Sequence, residues 1–167
     1  MTDDDRSTDA PEGANRKLIK IEISHDPRRV IQPEYAHEEA VAIYDILDDN
    51  LFYLQEADGP YHLILSTDNR HVHFDVRSAD AQPLKGFIMA LGPFRRIMRD
   101  YYDVCNHYYD AIRTKSPTQI QAIDMGRRAL HNEGSDLLQE RLGNYLTTDN
   151  MTARRLFTLI YVLTHRS

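Results

Sequence analysis

The chain of 167 residues has a single cysteine, no tryptophan and no apolar run approaching the roughly 18 residues that a membrane-spanning helix needs. One cysteine excludes an internal disulfide framework, and without a spanning run no membrane partner is expected. Also absent are a Walker phosphate loop, a dinucleotide-binding GxGxxG, a GxSxG nucleophile elbow, an HExxH helix and paired CxxC motifs. The common nucleotide, hydrolase and zinc-protease chemistries therefore have no footing in the sequence, and no cofactor is expected. The opening MTDDDRSTDAPEGANR is acidic and polar instead of basic and then apolar. It does not read as a secretory signal, and the expected address is cytoplasmic.

What is present is the composition of one soluble domain, with 41% hydrophobic residues, 28% charged residues and a net charge of −6. A chain of this length buries about two thirds of the surface that its unfolded form exposes, and needs no covalent or metal staple. Residues 1–16 carry no large apolar side chain beyond Met1, and combine Asp3, Asp4, Asp5, Asp9 and Glu12 with Pro11 and Gly13. A disordered acidic tail is expected there, followed by a single domain over 17–167.

From Leu18 the pattern changes. Ile19, Ile21 and Ile23 alternate with polar residues, as in a half-buried strand, and Pro33 opens a helix with the stripe Ala36, Ala40, Ile43, Tyr44 and Leu47. Short β segments follow at Leu51–Gln55, Tyr61–Ser66, His71–Arg77 and Leu84–Leu91, separated by turn chemistry. They read as an antiparallel meander. With Asp68-Asn69 as the hairpin turn, Ser66 faces His71, Ile64 faces His73 and His62 faces Asp75, while Leu63, Leu65, Val72, Phe74 and Val76 share an apolar face.

After Gly92-Pro93 the apolar period lengthens to a helical one, with Phe94, Ile97, Met98, Tyr101, Cys105, Tyr108 and Ile112 on one stripe. Ser116-Pro117-Thr118-Gln119 is a capping box that starts a second long helix, with a break expected near Asn132-Glu133-Gly134. Asp149 caps a last helix, Asn150 to about Thr164, whose apolar surface runs nearly all round and marks it as central. The fold class is α+β: a small antiparallel meander with one N-terminal helix, then a C-terminal bundle of three to four helices.

Charge divides along the same line. Residues 1–83 hold 8 Lys and Arg against 18 Asp and Glu, whereas residues 84–167 hold 12 against 8, and 10 of those 12 are arginine. Arginine's planar fork of donors matches carboxylate and phosphate, so the bias points to anion recognition. The plainer alternative is internal pairing between a basic and an acidic half. Arg95, Arg99, Tyr102, Tyr109 and Arg113, with Asn106, flank the apolar stripe of their helix as a polar arc that could grip a nucleic acid, although the acidic chain argues against general affinity for one.

The densest constellation is IDMGRRALHNEGS. At about 100° per residue Asp124, Arg127 and His131 share one arc of a helix. Two uses follow: a paired, buried polar network, or a site with His131 as general base, Asp124 orienting it and Arg127 clamping an anion. Arg128 points sideways. Arg154 and Arg155 sit in the first turns of the last helix, where cations do not help the helix itself, which leaves two readings: contact with an acidic surface or ligand, or, more plainly, a salt bridge to Asp149 or to the Glu-rich first helix. His62, His71, His73 and Asp75 are weak metal candidates, since spacing of two on a strand suits zinc but no quartet has the spacing of a recognised site. Cys105, on an apolar stripe, is expected to be an inert thiol.

The run DYYDVCNHYYDAIRTKSPTQIQAIDMGRRALHNEGSDLLQERL, followed by TARRLFTLIYVL, resembles the C-terminal half of an uncharacterised bacterial family, protein family 0262, associated with alphaproteobacteria. DMGRRALHNEGS is its most specific part and TARRLFTL the second, and the likeness extends over about residues 17–166. It implies a bacterial setting and carries over no activity, cofactor or site residue. The leading expectation is a non-enzymatic binding or regulatory protein that uses Arg127, Arg128, His131, Arg154 and Arg155 for an anionic small molecule or an acidic protein partner. The alternative is an enzyme on a small anionic substrate, built on His131, Asp124 and Arg127. A homodimer is a third open expectation, as two-fold self-association is common.

Overall fold

Leu18–Ile23 forms the first strand, β1, in the computed structural model, which describes residues 14–28 and 30–165. Its alternation starts with an irregularity: Leu18 is buried, Ile19 is exposed, and the strand regains its period at Ile21. Asn50 imposes this. Its Oδ1 accepts the Leu18 N–H (2.8 Å), and its Nδ2 donates to the carbonyls of Leu18 (3.0 Å) and Ile46 (2.8 Å). One buried amide thus satisfies backbone groups of β1 and of the helix that ends just before Asn50.

That helix, α1 (Pro33–Asp48), begins with Pro33 at its first position as expected. Its buried face is not the expected one. Ala42 and Ile46 are buried, with Tyr35 and Ile43 partly so, while Ala36, Ala40, Tyr44 and Leu47 are exposed. Apolar residues occupy most sides of its C-terminal half, so periodicity alone does not choose among them. Packing against β1 and the last helix does.

The strands that follow are β2 (Phe52–Leu54), β3 (Tyr61–Thr67), β4 (His71–Ser78) and β5 (Pro83–Ala90). The α+β class is as expected, but the sheet is not a pure meander. Its order is β1-β3-β4-β5, and β1 lies parallel to β3 because α1 carries the chain back to the same end of the sheet. β2 leaves the sheet and pairs antiparallel with β6 (Leu146–Thr148), joining the first third of the chain to the last.

In the β3–β4 hairpin, Ser66 lies opposite His73, Ile64 opposite Asp75 and His62 opposite Arg77, two residues from the expected register. The turn is longer than two residues because the Asp68 carboxylate accepts the N–H groups of Arg70 and His71 (3.0 Å each) around Asn69 at φ 77°. A shift of two preserves the faces, so Leu63, Leu65, Val72, Phe74 and Val76 form the buried side together, as the alternation implied.

The helical layer is α2 (Arg95–Thr114), α3 (Pro117–Leu142) and α4 (Asn150–Thr164). Both expected caps form: Ser116 and Gln119 make the capping box, and Asp149 Oδ1 accepts the Thr152 N–H at 2.8 Å. α4 is buried on all sides from Leu156 to Leu163 except at Thr158, and packs on α1, α3 and β3. α3 is continuous through Gly134, against the expected break. Gly134 is there for approach, since a Cβ at that position would run into the Phe157 ring of α4.

Of the expected tail, residues 1–13 lie outside the described residues. Its last three, Ala14–Arg16, form a 3-10 turn in which the Asn15 carbonyl accepts the Gly59 N–H at 2.7 Å and the Arg16 guanidinium covers the Tyr53 ring at 4.5 Å. Among the described residues, no helix is long and apolar enough to cross a membrane.

Candidate functional site

Three of the arginines singled out in the sequence converge where α2, α3 and α4 meet. A cleft of about 260 Å³ there is lined by Tyr101 of α2, by Arg127, Arg128 and His131 of α3, and by Arg154 and Thr158 of α4. The helical period places the α3 residues on one side, and the i, i+4 spacing of Arg154 and Thr158 puts both on the facing side of α4. The segments DMGRRALHNEGS and TARRLFTL therefore form the two walls of one cleft.

Charge in the cleft is uneven. Arg127 donates from Nε and Nη2 to Asp124 Oδ1 (3.0 and 2.7 Å), and the Arg128 Nε lies 2.9 Å from Asp124 Oδ2. One carboxylate thus engages two guanidinium groups, and they hold its carboxyl below the usual carboxylate range, Arg127 contributing most. Arg127 also lies over the Tyr108 ring at 5.4 Å. The Arg154 side chain has neither a hydrogen bond nor an ion pair among the described residues, although its carbonyl accepts from Thr158 Oγ1 at 3.3 Å.

His131 forms the floor. It is 9% exposed, edge-on to Phe157 and tilted against Tyr101. Its Nε2 lies 2.9 Å from Thr158 Oγ1, and its Nδ1 lies 3.4 Å from Ser135 Oγ, whose own proton goes to the His131 carbonyl at 2.7 Å. The imidazole is thus held between two hydroxyls, Ser135 at Nδ1 and Thr158 at Nε2. Burial, reinforced by Arg154 and Arg127, pushes its pKa down to about 4, so the ring is neutral at pH 7. The positive charge of the cleft belongs to arginine alone. Tyr101, its hydroxyl beside Arg127 and Cys105, is held protonated well above its ordinary range, chiefly by burial.

Asp124 therefore does not orient His131 as the catalytic alternative requires: its oxygens are taken by arginine, and Ser135 and Thr158 take the imidazole. Thr158, Ser135 and Tyr101 were not singled out in the sequence. The first two stand one helical turn beyond Arg154 and His131, a spacing that carries the signal, while Tyr101 reads only as core.

The other residues of interest lie apart. Arg155 points away from the cleft and donates to the Asp49 carbonyl at the end of α1 (3.2 Å). Glu133 pairs with Arg96 at 2.5 Å across α2 and α3. The polar arc of α2 divides: Arg95 reaches the Asn69 carbonyl (3.4 Å) and Arg99 lies near Asp100 (3.7 Å), whereas Tyr102, Asn106, Tyr109 and Arg113 border a second groove against α1. On the sheet, Asp68 takes both His71 Nδ1 (3.3 Å) and His73 Nε2 (2.9 Å), Asp75 takes Arg77 (2.9 Å), and His62 is buried 3.5 Å from Glu22. Among the described residues no group of three His, Cys, Asp or Glu side chains is placed to hold a metal ion. Cys105 is half-buried, and burial raises its thiol pKa, which keeps it protonated.

Fold and cleft together define an α+β protein with an arginine-lined depression between three helices. The chain belongs to the uncharacterised protein family UPF0262, whose model matches residues 15–166. It is 50% identical over 146 residues to a UPF0262 protein of Rhodospirillum rubrum, covering 87% of this chain and 91% of that one. It is 46% identical over 151 residues to one of Methylobacterium radiotolerans, covering 90% and 94%. With a UPF0262 protein of Rhodopseudomonas palustris strain BisB5 it shares 44% over 158 residues, covering 94% and 97%. No solved structure matches the chain.

Proposed function

We propose that this protein binds a small anion in the α2–α3–α4 cleft, with Arg127, Arg128 and Arg154 as its ligands and without chemical turnover. The observation that carries the reading is the Arg154 guanidinium, without a hydrogen bond or ion pair among the described residues and lining the same space as two arginines that share a single carboxylate. Guanidinium groups kept close together in a partly buried cleft repel one another unless an anion lies between them, and their forked donors suit a phosphate or carboxylate group. The neutral His131 at the floor adds no charge of its own, so the arginines alone set the sign of the cleft.

Binding is favoured over catalysis by the state of the imidazole. A base whose pKa lies near 4 is a weak proton acceptor at neutral pH, and its Nε2 is already occupied by Thr158. The arginine face also fits an acidic partner protein less well than a small anion, because Arg155 is turned away and donates to the Asp49 carbonyl. Native mass spectrometry of protein purified gently from its own host tests this reading first. Bound anionic mass is expected on the wild type and absent from Arg154→Glu, with the fold of the variant checked by circular dichroism. An Arg154→Glu protein that retains the same bound mass overturns the assignment.

A further inference from the structure

We infer that the groove between α1 and the C-terminal half of α2 is a second binding site, for a small organic ammonium ion. The groove encloses about 500 Å³, within the range typical of small-molecule sites. Its walls carry four tyrosines: Tyr35 from α1, Tyr102 and Tyr109 from α2, and Tyr161 from α4. Tyr102 and Tyr109, both on the α2 wall, are 40% and 52% exposed, an unusual display of ring surface toward open space. Aromatic rings that line a cavity can hold a cation against their electron-rich faces.

Two carboxylates border the same space. Glu34 lies in the first turn of α1, where the positive helix end accounts for it. Glu38 is one turn further in, beyond that influence, half-buried, and without a hydrogen bond or ion pair among the described residues. Burial raises its pKa against the opposing pull of Arg127 and His37, so a further cation in the groove would favour the charge that desolvation opposes. Arg113 and His37 also line the groove. Arg113 sits in the last turn of α2, whose negative end offsets its charge. An aromatic-lined groove with a half-buried carboxylate that makes no ion pair among the described residues is the chemistry that selects an alkylammonium over a neutral alcohol of the same shape.

The test is an amide-resonance NMR titration of the full chain with n-butylammonium and tetramethylammonium chloride, using n-butanol as the uncharged control. Saturable shifts confined to α1 and α2 are expected below about 20 mM for both cations and not for butanol. Glu38→Gln and Tyr109→Ala, one isosteric and one at an exposed position, are each expected to weaken binding at least about fivefold with the spectrum otherwise intact. Equal binding of butanol, unchanged affinity in Glu38→Gln, or no saturation by either cation overturns the assignment. Inorganic phosphate titrated into the same samples reports on the arginine cleft separately, so failure at one site is distinguishable from failure at the other.

Discussion

His131 is a buried imidazole with arginine on two sides, and that placement has a consequence for stability. Its folded pKa of about 4 lies below the ordinary value of 6.5, so the unfolded chain takes up a proton first as pH falls. Stability is therefore intact above about pH 6.5 and declines as pH drops toward 4, with about 3 kcal/mol at stake in full. His165, also lowered by burial, acts in the same direction, whereas Glu38 and Glu39, raised by burial, oppose it. The contribution of His131 is isolated by difference. His131→Asn should be less stable than wild type at pH 7 and should lose part of the slope between pH 6.5 and 4 in urea-unfolding free energies. Parallel pH profiles for the two proteins would mean that the imidazole is hydrated and ordinary in the folded state.

At the scale of elements, the α3–α4 crossing decides the shape of the cleft, and two glycines of one helix read it in opposite ways. A methyl added at Gly134 meets the Phe157 ring, whereas one added at Gly126 meets open space. Gly134→Ala should cost about 1–3 kcal/mol by overpacking, despite alanine's better helix propensity. Gly126→Ala should instead gain up to about 1 kcal/mol from that propensity. Thermal unfolding of both variants checks the pair, and a stabilised Gly134→Ala would show that the helices can separate there freely. The sequence reveals Gly134 as an anomaly inside a helical pattern, and a break is the natural local reading. Only the partner helix shows that the missing side chain is a contact.

The same limit runs through the other elements. Caps at Ser116 and Asp149, Pro33 at a helix start and the all-round apolarity of α4 are local signals, and all were legible. The parallel placement of β1, the departure of β2 to β6 and the burial of one face of α1 depend on residues far away in the chain, and they were not. In the site, Arg127, Arg128, His131 and Arg154 were named from residue type and helical spacing. The exchange of partners between Asp124 and His131 depends on α4, whose Thr158 arrives from 27 residues away.

Over the whole molecule, the acidic first half and the arginine-rich second half do not cohere by pairing with each other. Ion pairs among the described residues lie mostly within one half, as in Arg77–Asp75, Arg96–Glu133 and Arg127–Asp124, while Lys85–Glu56 crosses between them at the surface. What joins the halves is backbone pairing and apolar packing: the β4–β5 ladder, the β2–β6 ribbon, α4 against α1 and β3, and the stack of Phe74, Phe87 and Tyr145 at centroid distances of 4.7 and 4.2 Å. Surface pairs contribute little and are screened by salt, whereas buried apolar area is not. Sheet and helices should therefore unfold as one unit, and added salt should not separate them. Helix loss by far-ultraviolet circular dichroism and tyrosine signals in the near ultraviolet should give coincident transitions at about 0.05 M and about 1 M NaCl. Anion retention in the cleft, which rests on exposed guanidinium charge, should fall steeply over the same interval. Transitions that split at high salt would show that charge between the halves, and not α4, holds the two layers together.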